Sequence, residues 1–321
     1  MSNPNLFAQQ DHNRRRSAWL IAGFVLFFAW IGFGGDLSWY LATRDLPPDQ
    51  YHHVVPFTGL ITTALAGGMA WYSWRHGAER VLRATGAWEL LEPATEDHTR
   101  LVNVVEEMAI ASGLPRPRIW VVPDQDPNAF ATGRDPSTAH IAVTEGLLQR
   151  LNRDELQGVV AHEMAHIRNL DVRLMTLLAA TVGTIVLVSD GLQRMMRYGF
   201  GRGGRGKKGG NPLALVVLVL WLISLVFAPL IARLLAMSVS RKREFLADAT
   251  GAQFTRNPMA LAEALRKIDA ESGATRVIAR GAAHMCIVDP AERHLNVAGG
   301  RFASHPPIGE RIARLRAMAY Q

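Results

Sequence analysis

Three uncharged stretches, each close to the length of a bilayer crossing, limit the folds open to this chain. Ser17 to Gly35 carries no charge and reads Ala-Trp-Leu-Ile-Ala-Gly-Phe-Val-Leu-Phe-Phe-Ala-Trp-Ile from Ala18. Val54 to Trp74 is again uncharged and ends on Trp71, Tyr72 and Trp74, as an interfacial aromatic belt would. Asn211 to Ala232 is the most hydrophobic, running Leu-Val-Val-Leu-Val-Leu-Trp-Leu-Ile from Leu215. All three approach the ~20 residues a helix needs to cross hydrocarbon. A further segment, Leu174 to Ser189, is shorter and holds Thr176, Thr181, Gly183 and Thr184, so crossing, re-entrant and buried core helix all stay open. The N-terminal run is too long for a cleavable signal peptide, and no small-residue cleavage site follows it.

The segments divide the chain. A polar, basic tail (1–16) precedes the first span (17–35), and the second is 54–74. A polar block (75–173) leads into the third segment (174–189). A basic, Gly-rich loop (190–210), the fourth segment (211–232) and a second polar block (233–321) follow. Mean hydropathy of +0.05 averages apolar spans with ordinary globular sequence. The net charge of +7 does not imply nucleic acid. Its clusters, Arg14-Arg15-Arg16, Arg194 to Lys208 and Arg241-Lys242-Arg243, lie against apolar segments, where anionic lipid headgroups sit, and no nucleic-acid motif accompanies them. A single Cys286 excludes an internal disulfide and fits a reducing compartment. Basic residues before the first span and after the second (Arg75, Arg80, Arg83) place both polar blocks in the cytoplasm. The basic 190–210 loop conflicts with that rule if both flanking segments span; we expect them to span.

Chemistry concentrates in His162-Glu163-Met164-Ala165-His166. Histidines four apart on a helix project from one face, so their imidazoles can share one zinc ion, and the adjoining Glu163 can activate water. Asn152 and Glu155 form an N-terminal capping signal, and Leu156, Val159, Val160, Met164 and Ile167 recur at helical spacing. Downstream, Glu244 and Asp248 share a helix face: one can bind the metal while the other holds a histidine from behind. Glu244 as third ligand leaves a fourth position open, as in catalytic zinc sites. The competing reading puts Glu244 in a solvated cluster with Arg241, Lys242 and Arg243.

Around this motif the pattern predicts a mainly α fold with a small β-sheet. Helices are expected over Glu96 to Ser112, Ala260 to Ile268 and Gly309 to Met318. Short strands are expected over Ile119 to Val122 and His140 to Val143, separated by a turn-rich stretch from Asp124 to Ser137.

Four motifs in order resemble the HtpX family of membrane zinc metalloproteases: the zinc helix, Glu244-Phe245-Leu246-Ala247-Asp248, Asn128-Ala129-Phe130-Ala131 and Ser304-His305-Pro306-Pro307. The resemblance covers nearly the whole chain and implies a gluzincin fold, related to the CAAX prenyl proteases. It implies one zinc ion held by His162, His166 and Glu244, Glu163 as base, Asp248 behind a ligand histidine, and Asn128 and His305 lining the cleft. It also implies polypeptide substrates, misfolded membrane proteins above all. His305 is expected to help stabilise the oxyanion, and the strand His140-Ile141-Ala142-Val143 to offer an unpaired edge to extended substrates. A prenyl-protease-like processing enzyme ranks lower, because four spans do not enclose a large chamber. A zinc-binding scaffold without activity would have no need of Glu163. Oligomeric state is not readable from the sequence.

Overall fold

A computed structural model describes residues 6–43, 55–178, 215–224, 227, 241–270, 285–288 and 305–320. The 190–210 loop, Ser304 and most of the third and fourth segments lie outside the described residues. The fold is mainly helical with one small mixed sheet, in two compact units: one of residues 1–17, 75–180 and 236–321, the other of 18–74 and 181–235.

In the first unit, helix α3 (Glu96–Ser112) begins where the Thr95 side chain accepts from the His98 amide. Glu96 and Asp97 complement its N-terminal dipole, and Gly113, at φ 68°, ends it in a left-handed turn. Four strands follow the order β1-β2-β4-β3, with β1 Trp88–Glu89, β2 Arg118–Val122, β3 Ala129–Thr132 and β4 His140–Thr144. β2 and β4 run parallel, with Ile119 beside Ile141, and β3 is antiparallel to β4, with Phe130 beside Ala142. The sequence reading treated Asp124 to Ser137 as turns. β3 was hidden there because it is short, flanked by Pro127 and Gly133, and buried at all four positions, so it shows no alternation.

β4 is interior. Its two edges are taken by β2 and β3, which corrects the expectation that His140, Ile141, Ala142 and Val143 offer an unpaired edge. Buried His140 accepts a hydrogen bond at Nδ1 from Trp120 Nε1 (3.0 Å). Burial, then Arg118, holds its pKa down at about 4, so it is a neutral core histidine.

The central element is α5 (Arg153–Arg168), preceded by the short α4 (Glu145–Arg150). Asn152 and Glu155 cap α5 reciprocally, side chain to backbone in both directions, and Lys267 bonds Glu155 Oε2 (2.7 Å). Leu156, Val159, Val160, Met164 and Ile167 are buried in one continuous core with α3, the sheet, α6 (Arg241–Thr255), α7 (Pro258–Ala270) and α8 (Ile308–Ala319). A Cβ at Gly251 would lie 3.0 Å from the His162 amide nitrogen. Glycine there lets α6 approach α5 closely enough for Glu244 and Asp248, on the same face, to reach the histidines.

The second unit holds the apolar helices α1 (Leu6–Thr43, from residue 18) and α2 (Phe57–Ala84, up to residue 74). Their pairing includes a cluster of Phe24, Phe28, Ala66 and Ala70. At Gly32 the helices come so close that a Cβ would overlap Thr62 Oγ1 at 1.9 Å. Asp36 accepts from the Gly59 amide (2.7 Å), satisfying a donor of the first turns of α2. Gln10–Thr43 is the one helix among the described residues long and apolar enough to cross a membrane. From Leu6 the polar 1–16 stretch is helical and forms the start of α1, and its Asn13 is buried in the first unit.

Candidate metal centre

The Nε2 atoms of His162 and His166 lie 3.2 Å apart. Glu244 completes a triangle, its carboxylate oxygens 3.7 Å from His162 Nε2 and 3.6 Å from His166 Nε2. An ion bound tetrahedrally at ~2.0–2.1 Å needs donors about 3.4 Å apart, close to the spacing of the two Nε2 atoms, and each of them has one oxygen of the Glu244 carboxylate at a similar distance.

The far ring nitrogens explain why these lone pairs face each other. Nδ1 of His162 lies 3.0 Å from Asp248 Oδ1, and Nδ1 of His166 lies 3.0 Å from Asp171 Oδ2. A carboxylate on each Nδ1 holds the proton there and turns the Nε2 lone pair inward. Burial resists charge on His166, but Asp171 and Glu244 overcome it and raise the pKa to about 9 without metal. Burial holds His162 down, with Asp248 opposing.

Glu163 is buried beside the triangle. Burial pushes its pKa up to about 7; the Glu244 charge adds to this and the His166 charge opposes it. A carboxyl poised near neutrality suits a general base at physiological pH. Glu163 and the three donors line a cavity of about 20 Å³, room for one water-sized body, together with Ala131, Asp171, Met285, Cys286, Ile287 and His305. His305 Nδ1 is 3.2 Å from Glu244 Oε2, so His305 stands in the cavity, against a candidate ligand.

Asn128 stands elsewhere. It is fully buried, and its Nδ2 donates to the Val288 carbonyl (2.9 Å). It thereby holds residues 285–288 against the outer edge of β3, where the Ile287 amide bonds the Ala129 carbonyl (2.9 Å) and Cys286 pairs with Phe130.

Two residues that organise the site escaped the sequence reading. Asp171 follows His166 by five positions, not a helical spacing; Leu170, at φ 58°, reverses the chain and returns the carboxylate to the helix. Arg311, on a helix whose sequence is rich in arginine, is fully buried. Its Nε and Nη2 grip Asp248 (2.9 and 2.7 Å), and its Nη1 donates to the Ile287 carbonyl (2.9 Å). Its charge keeps Asp248 at about 2 despite burial. Arg243, which the competing reading put in a solvated cluster, is buried 3.6 Å from Asp171; the side chains of Arg241 and Lys242 are outside the described residues.

Three protein donors, a cavity at the fourth position and a buried carboxyl beside it define a metal-dependent hydrolase. Residues 95–319 match Peptidase family M48. The chain is 39% identical to "Protease HtpX homolog" of Thermoanaerobacter pseudethanolicus, over 99% of both chains. It is 43% identical to the protein of the same name from Dictyoglomus turgidum, over 98% of this chain and 96% of the other. A crystal structure of S. mikatae Ste24p aligns over 97% of this chain and 89% of its own at 16% identity and a TM-score of 0.40, a likeness too distant to bear on the fold. The chain belongs to peptidase family M48 and, within it, to the HtpX proteases; it is a metalloprotease.

Proposed function

We propose that the chain is an integral-membrane zinc endopeptidase of gluzincin type that cuts misfolded or damaged membrane proteins, with its catalytic residues on the cytoplasmic side. One observation carries the reading: two imidazole nitrogens 3.2 Å apart with a carboxylate oxygen within 3.7 Å of each, and a carboxyl of pKa about 7 in the same cavity. His162, His166 and Glu244 are the residues that would hold zinc. Zinc, when bound, supplies Lewis-acid chemistry, acidifying water and polarising a peptide carbonyl. Glu163 accepts the proton of the attacking water and delivers it to the leaving amine. His305 donates to the oxygen on which charge develops. Asp248 and Asp171 hold the two histidines in the tautomer that keeps Nε2 unprotonated.

The membrane assignment is supported by the outward apolar side chains of α1 and α2, among them Trp19, Leu26, Leu65 and Trp71, at 60% exposed or more. Exposed Arg14, Arg15 and Arg16 precede the apolar run, where anionic headgroups on the cytoplasmic face would meet them.

The test is Glu163→Gln on detergent-purified protein with an unfolded model substrate. Cleavage is expected to fall by ~10²–10⁴-fold, the share general base catalysis supplies, with one zinc per chain retained. Undiminished turnover would end the proposed mechanism.

A further inference from the structure

The polar start of α1 joins the metal centre through one side chain. Asn13 is fully buried, and its Nδ2 donates both to the Asn169 carbonyl (3.0 Å) and to Asp171 Oδ1 (2.7 Å). Asp171 is therefore gripped at both oxygens, Oδ1 by Asn13 and Oδ2 by His166 Nδ1 at 3.0 Å. Arg243, also near Oδ1, is 3.6 Å away, beyond hydrogen-bond length. A carboxylate held at one oxygen can swing about its terminal torsion; held at both it cannot, and the imidazole it supports keeps its orientation. The second bond of Asn13 falls on the turn just before Leu170, whose positive φ brings Asp171 back to the helix.

We infer that Asn13 is a positioning residue of the protease: by fixing Asp171 it fixes His166 as a metal ligand. This rests on the zinc-peptidase reading above. The chain supplies its own control, because Gln10, one turn earlier, donates to the Arg168 carbonyl (2.8 Å) and thus helps dock α1 on the same turn, with no hydrogen bond to Asp171.

The experiment uses the full chain in detergent and compares Asn13→Asp, Asn13→Ala and Gln10→Ala with the wild type. Asn13→Asp keeps the shape of the side chain but replaces the donor with an oxygen facing Asp171. Its readouts are the rate at which a chelator strips zinc, and kcat and KM determined separately. The expected result is zinc loss about tenfold faster than wild type in both Asn13 variants, the low end for partners behind a ligand. We expect kcat to fall, KM to hold, and Gln10→Ala to match the wild type. Combining Asn13→Asp with Asp171→Asn faces a donor with an acceptor again and should recover part of the zinc retention. Asn13 variants that keep wild-type zinc release and kcat overturn the inference. So does Gln10→Ala if it weakens zinc as much, because docking alone would then be the cause. If Asn13→Asp does not fold, Asn13→Ala decides by the same comparison. A wild-type chain that binds no zinc would instead refute the zinc reading itself.

Discussion

His162 and His166 stand one turn apart on α5, yet their supports come from different distances along the chain. His166 is held locally, by Asp171 five residues on, with Asn13 and Arg243 around that carboxylate. His162 is held by Asp248, which is itself clamped by Arg311 of α8. The charge balance differs accordingly. On the His162 side a guanidinium already neutralises the carboxylate, and burial keeps the imidazole neutral. On the His166 side the carboxylate acts on the imidazole with less competition, and the ring tends to take a proton when no metal is there. A buried site thus tunes two neighbouring histidines by how far each support is shared.

The contrast breaks most completely if the ligand common to both sides is removed. Glu244→Ala should weaken zinc binding beyond the ~10–100-fold typical of supporting residues, abolishing cleavage. Metal analysis after dialysis checks it, and full zinc content in that variant would remove Glu244 from the ligand set.

Separating the two supports sharpens the contrast. Asp248→Ala and Asp171→Ala should each weaken zinc within that ~10–100-fold range. Asp248→Ala also breaks the tighter buried ion pair, Arg311 at 2.7 and 2.9 Å, a cost of about 3–5 kcal/mol, whereas Asp171→Ala loses only the 3.6 Å pair with Arg243. Thermal unfolding of the chelated variants should therefore show the larger loss for Asp248→Ala; equal losses would mean that Arg311 finds another partner.

The smallest effect is a pH dependence of the metal-free chain. His166 titrates at about 9 when folded, above its ordinary 6.5, so the folded state keeps a proton the unfolded state gives up. Its contribution is complete below 6.5 and lost as pH rises through about 9. His162, held below 6.5, has the opposite sign and costs stability as pH falls beneath that value. Denaturant melts of chelated protein should weaken from pH 6.5 to 9, more so than in His166→Ala, while His162→Ala keeps the alkaline decline.

Much of this was legible in the order of residues. The cap of α5 stood out because Asn152 and Glu155 act within one turn of the backbone they satisfy. The triangle was legible because four-residue spacing puts side chains on one face of a helix. Asp171 and Arg311 were not, because one depends on a left-handed Leu170 and the other on packing that turns a surface-like Arg inward. The edge of the sheet was misjudged for a related reason: strand order is a long-range property, and the four residues of β3 lack the alternation that would have put them beside β4.

Arg311 has a consequence for how the enzyme comes into being. Synthesis runs from the N-terminus, so Glu163 of α5 leaves the ribosome about 150 residues ahead of the guanidinium that secures Asp248. At ~5–20 residues per second that interval is roughly 7–30 s. Through it the nascent chain has Glu163 and both histidines but lacks the side chain that grips Asp248. The carboxylate that faces His162 therefore gains its guanidinium partner only when nearly all of these residues have been made.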